Sequence, residues 1–251
     1  MFLVLYFYCF NFAHKEKTNY FVDFFMDPQI NNKTIDNQLL RIARYLIINA
    51  GFLSDISLCH GKMGIAIFFF HYGRYSGNSV YTEFAWDLID DIYKNIHNGL
   101  PVNFENGLCG TGWGIEYLVQ HKFIEGDTGE VLEDLDKLVM ERDPRRITDL
   151  SFEKGLGGIH YYVSVHTHSP FCSAPAFDPV YLEELKQRAN VLDTNALTAK
   201  GYPTFDASSP LSLPAYLLRD KVGLKDDADI TQYPSEVKKG LAGIGLQLMN
   251  V

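Results

Sequence analysis

Three residues have the types to hold a metal. Cys59 and His60 are adjacent in the stretch Leu58–Phe69, and Cys109 follows in Phe104–Leu118. Two thiolates and one imidazole leave a fourth zinc position open, the arrangement that binds and deprotonates an incoming thiol. The competing reading is that Cys59 and Cys109 are small buried residues at helix starts. His166, His168 and Cys172 form a second set, HxHxxxC, which could ligate a metal at a helix end or simply be solvated. Acid–base candidates are His60, Glu116, His160 and Asp206. A carboxyl buried early in an apolar helix has a raised pKa and can act as a general acid. Glu105 and Glu153 precede glycine pairs at the same position, where an acid also complements a helix N-terminus. Trp113, Tyr117, Tyr161 and Tyr162 could receive a peptide or a sugar, or fill a core.

A repeat must position these residues. Leading glycines stand at Gly61, Gly107, Gly155 and Gly240, and each is followed three residues later by Gly64, Gly110, Gly158 or Gly243. An apolar run follows every pair. The first three corners are 46 and 48 residues apart, and the last interval, 85, is nearly twice that. Self-similarity at this period signals a repeat array or a closed ring, with one unit between Gly155 and Gly240 lacking its glycines. Helical spacing predicts helices over Asp36–Ala50, Lys62–Tyr75, Val80–His97, Thr111–Gln120, Thr128–Glu141, Leu156–Val165 and Tyr181–Leu192. Those that open on glycines are apolar on nearly every side, as inner helices are. Those between are amphipathic, as outer helices are. Alternation of the two predicts helical hairpins in an all-α, incomplete α/α toroid, taken as one domain over residues 36–251. Closing the ring requires an outer helix after the last apolar run, or the segment Phe2–Phe25 in its place. The longer connections, His166–Pro179 and Ala199–Pro214, are long enough to be functional.

Composition mostly excludes. A net charge of −9 argues against nucleic-acid binding, which needs a basic face. Four well-separated cysteines in a chain of 251 residues do not make a disulfide framework, and free or metal-bound thiols in a cytoplasmic protein are expected. The apolar, aromatic segment 1–35 opens with Met1–Phe12, which is too short to span a membrane and lacks the basic start of a signal peptide. It reads as part of the toroid or appended to it, with no membrane association.

The stretches SLCHGKMGIAIFFF, GLCGTGWGIEYL, GLGGIHYY and GLAGIGLQL resemble the glycine-pair repeats of lanthionine synthetase C-like proteins, over about Asp36 to Val251. That resemblance implies an α/α toroid with one zinc ion at the ring mouth. It implies addition of peptide cysteine thiols to dehydroalanine or dehydrobutyrine, with a ribosomally made peptide or a modification enzyme as partner. In the family, a late cysteine precedes a Cys-His pair by one repeat. Here the Cys-His pair, Cys59–His60, comes first and Cys109 after it, so the zinc candidates rest on the residue types alone. A non-catalytic member that binds a peptide or partner in its mouth is one alternative. A carbohydrate-active enzyme using Glu116 and Asp206 is another, by analogy of architecture.

Overall fold

The computed structural model describes residues 34–218, 224 and 228–251. The expectations for residues 1–33, including Phe2–Phe25, lie outside the described residues. Among the described residues, ten α-helices and two short 3-10 turns make up the regular structure, and there is no strand. The helices are α1 (Thr34–Ala50), α2 (Lys62–Ser76), α3 (Ser79–Lys94), α4 (Leu108–Gln120), α5 (Thr128–Val131), α6 (Glu133–Met140), α7 (Leu156–Thr167), α8 (Pro179–Ala189), α9 (Thr194–Ala199) and α10 (Leu241–Leu248).

Four helices are inner: α2, α4, α7 and α10. All open on an extended glycine N-cap, Gly61, Gly107, Gly155 or Gly240, with no side-chain cap. Free N–H groups at a helix start need partners. Here a carbonyl six residues before the glycine accepts from the first helical residue. The bonds are Lys62 N to Asp55 O at 2.9 Å, and Leu108 to Pro101, Leu156 to Asp149 and Leu241 to Pro234, each at 2.8 Å. This supply of acceptors is why α4 begins at Leu108, a turn ahead of the expected Thr111. The second glycine of each pair faces a carbonyl. A Cβ on Gly64, Gly110, Gly158 or Gly243 would lie 2.3, 2.0, 2.1 or 2.1 Å from the carbonyl oxygen of Leu58, Phe104, Phe152 or Val237. Close approach of the corner to its own helix therefore requires glycine.

Outer helices cover this arc. α3 packs on α2, α6 on α4, α8 on α7. Their buried residues lie on one stripe, such as Tyr81, Ala85, Leu88, Ile89 and Ile92 of α3. α3 stops at Lys94, short of the expected His97, because Asn95 turns back onto it. Its Nδ2 donates to Asp91 O at 2.8 Å and its backbone N–H to Ile92 O. The expected helix Thr128–Glu141 is divided at Leu132, and α8 starts at Pro179 because Asp178 caps it through Val180 N and Tyr181 N. α1 supplies the outer helix of the last hairpin: it packs on α10 and α2 and buries Leu39, Ile42, Ala43 and Leu46. The inner helices neighbour one another in the order α10, α2, α4, α7. Beyond α7, the segment Gly201–Leu218 lies along the arc without helix or strand.

Candidate functional site at the ring rim

The glycine corners gather at one rim. Lys238 N–H donates to Cys59 O at 3.0 Å, Cys59 N–H to Glu105 O at 3.2 Å, and Glu105 N–H to Glu153 O at 2.9 Å. These four residues share one position, two before the leading glycine. The residues just before them, Leu58, Phe104, Phe152 and Val237, are all buried. Each corner is thus anchored by an apolar side chain, and the next residue is placed on the mouth.

The mouth is charged. Lys238 Nζ binds Glu105 and lies 3.1 Å from Glu153 Oε1. His60 Nδ1 lies 2.8 Å from Glu236 Oε2 and its Nε2 3.3 Å from Glu105 Oε1. His60, Glu153 and Glu236 side chains remain 32%, 31% and 26% exposed, so a ligand can reach them. Partial burial pushes the Glu105 carboxyl up, but Lys238 and His60 outweigh it and hold the group below the usual carboxylate range. Burial pulls Lys238 down, and Glu105 and Glu153 more than reverse that. Aromatic rings flank the charges. Tyr202 stacks on Phe152 with centroids 4.9 Å apart, and the Tyr216 ring lies 5.9 Å from Lys238 Nζ.

The expected zinc residues are not brought together as a ligand set. Cys59 sits on the rim, where burial raises its thiol to about 12 despite nearby Lys238. Cys109 lies inside the first turn of α4, fully buried, its thiol pushed well up by burial and then by Asp136. Burial disfavours the thiolate at both positions. Among the described residues, no three His, Cys, Asp or Glu side chains are grouped to hold a metal ion. The second set also disperses. His168 Nδ1 donates to Ser164 O at 2.8 Å, and the Cys172 thiol donates to Ala174 O at 3.0 Å.

His166 instead joins a sealed network with Glu116. Both side chains have zero exposure. Glu116 Oε1 contacts His166 Nδ1, and its Oε2 accepts from Ser169 Oγ at 2.7 Å. Across the ring, His166 Nε2 is 3.0 Å from Asp136 Oδ2, and Tyr162 donates to Asp136 Oδ1 at 2.6 Å. Burial pulls the imidazole down, but Asp136 and Glu116 hold it up at about 9. Glu116 is therefore a buried counter-charge closed off from any substrate. His160 is half-buried on α7, its pKa lowered by burial. Asp206 lies in an exposed turn and accepts from Ser208 N, Ser208 Oγ and Ser209 Oγ, bonds that keep its carboxyl below the usual range. Glu116 and Asp206 do not form a carboxylate pair.

Glu236 and Lys238 escaped sequence reasoning, although Lys238 shares the register of Glu105 and Glu153 and could have been found by it. Asp136 carried no mark among the acids of Glu133–Met140.

Helical hairpins sharing a glycine rim define an α/α toroid. The family model described as lanthionine synthetase C-like protein matches residues 31–192, and the chain belongs to that family. No curated protein and no solved structure matches the chain at a significant level. The matched range includes α1 to α8, and α10, beyond it, joins the same rim. No helix among the described residues is long and apolar enough to cross a membrane.

Proposed function

We propose that this family member binds a basic peptide at its ring mouth and that its cysteines do not perform zinc-assisted thioether formation. The observation that carries this reading is the pair of partly exposed rim carboxylates: Glu153, which shares Lys238 with Glu105, and Glu236, which holds His60. Carboxylates open to solvent in a cleft attract oppositely charged ligands. Tyr202 and Tyr216 add aromatic surface beside it for a peptide side chain. The occupant is a ribosomally made peptide or a basic segment of a modification enzyme, docked through its amino or guanidinium groups.

The test uses a synthetic lysine-bearing peptide with one cysteine and one dehydroalanine. The purified full chain is expected to bind it, to hold no stoichiometric zinc after dialysis, and to leave the peptide thiol open to alkylation. Addition of the thiol to the double bond leaves mass unchanged, so alkylation is the discriminating readout. About one zinc per chain, lost in Cys59→Ala, together with a thiol that no longer alkylates, would replace this reading by the cyclase. Turnover of an oligosaccharide without peptide binding would replace it by the carbohydrate-active one.

A further inference from the structure

Gln120 ends α4 and His121 caps it, at the opposite end of the inner helices from the glycine rim. These two adjacent side chains grip the backbone of one residue. Leu211 N–H donates to Gln120 Oε1 at 3.1 Å, and His121 Nε2 donates to Leu211 O at 2.7 Å. Reading both backbone groups of one residue is how an extended peptide is held whatever its side chain, as in recognition by strand addition. The gripping pair is itself positioned. The Tyr117 ring lies 4.2 Å from that of His121, and Arg74 donates to His121 O at 2.9 Å while its guanidinium covers Phe123 at 3.6 Å. His71 in turn contacts Tyr117 Oη at 2.9 Å.

The gripped residue belongs to the segment Gly201–Leu218. This strap touches the rim at two points, where Tyr202 stacks on Phe152 and Tyr216 lies 5.7 Å from the same ring. Between them it reaches the far end. Phe205 lies against His168, the cap of α7, at 4.9 Å, and Leu211 meets Gln120 and His121. Residues 206–210 and 212, between and beside these anchors, are exposed. Leu217 is fully buried and Tyr202, Leu213 and Tyr216 pack on the core, so the exposed stretch between Phe205 and Leu211 is the part of the strap that can open locally at low cost.

We infer that the strap's stretch between Phe205 and Leu211 is a self-ligand, a peptide of the chain's own that occupies on Gln120 and His121 the place an external peptide backbone takes, so that its release opens the site while Tyr202 and Tyr216 stay on the rim. The inference rests on the peptide-binding reading above and adds that binding is autoinhibited.

Leu211→Pro removes the N–H that Gln120 accepts, and Phe205→Ala removes the ring contact with His168. Both leave Gln120 and His121 intact. The full-length variants are titrated with the lysine-bearing peptide, circular dichroism reports the helices, and amide exchange across residues 204–213 reports strap release. Either variant is expected to exchange faster in the strap and to bind the peptide at least ten-fold more tightly than the unaltered chain. Adding Gln120→Ala and His121→Ala to Leu211→Pro should remove that gain. Equal binding by the unaltered chain and a variant whose strap exchanges faster overturns the autoinhibition and leaves the peptide-binding reading standing. If neither binds while the helices are retained, both fall. If the gain survives loss of Gln120 and His121, the far-end site is refuted and the mouth alone binds.

Discussion

At the residue scale, the most consequential group is one with no access to solvent. His166 bridges Glu116 of α4 and Asp136 of α6 from its place on α7, so one imidazolium ties two hairpins together. Replacing it by glutamine keeps approximate volume but leaves two buried carboxylates without their cation. Loss of one partner of a buried pair costs about 3–5 kcal/mol, and urea unfolding of His166→Gln should show a loss of that order. The pH dependence follows from the sign of the shift. The folded imidazole titrates at about 9, above the ordinary value of 6.5. Its stabilisation is therefore complete below the unfolded value and is lost as pH rises through the folded one. Unfolding free energy of the unaltered chain should decline between pH 7 and 9.5, and that decline should be absent in His166→Gln. The residue types of this network were all visible in the sequence, but their meeting was not. Spacing groups His166 with His168 and Cys172, whereas a helix turns neighbouring positions to different faces. The same geometry explains Cys59 and Cys109. Cys59 lies two residues before Gly61 and Cys109 two residues after Gly107, on opposite sides of the helix cap, so that, both fully buried, one neighbours Lys238 and Glu105 and the other Asp136.

At the scale of the elements, the glycine corner is the repeated part, and its two glycines do different work. The leading one caps, and the second admits a carbonyl. Gly158→Ala would set a Cβ 2.1 Å from Phe152 O, a backbone atom that cannot swing away. Overpacking of this kind costs about 1–3 kcal/mol, which should exceed any helix-propensity gain and appear as a lower urea midpoint. Gly51 is the control. A Cβ there meets nothing within 4 Å, and its φ is not in the left-handed region. Gly51→Ala should be neutral or stabilising by about 0.4–1 kcal/mol through the unfolded chain. The corners were legible because sterics write the same two glycines each time. Helix boundaries were less so. The start of α4 depends on carbonyls of the preceding loop, and the end of α3 on the Asn95 side chain, and neither leaves a periodic mark.

At the scale of the whole molecule, the outer layer is completed by wrapping. α1, early in the chain, covers α10, near its end. Gln38 donates to Leu224 O, and the Arg41 guanidinium donates to Ala228 O at 2.7 Å. The periodicity of Asp36–Ala50 announces a helix without saying which inner helix it covers, because only the curvature of the ring brings the two ends of the repeat together. The same curvature turns four separated corners into one mouth and puts Glu105 and Glu153 beside Lys238 and Glu236 beside His60. Mouth binding of a basic peptide is tested most directly by isothermal titration of the lysine-bearing peptide into the unaltered chain and into Glu153→Gln/Glu236→Gln, at low and at physiological salt. These carboxylates are partly exposed and salt screens such pairs. The account predicts binding that weakens with salt and a dissociation constant at least ten-fold higher in the double variant. Binding of equal strength in both proteins, or insensitive to salt, would contradict it.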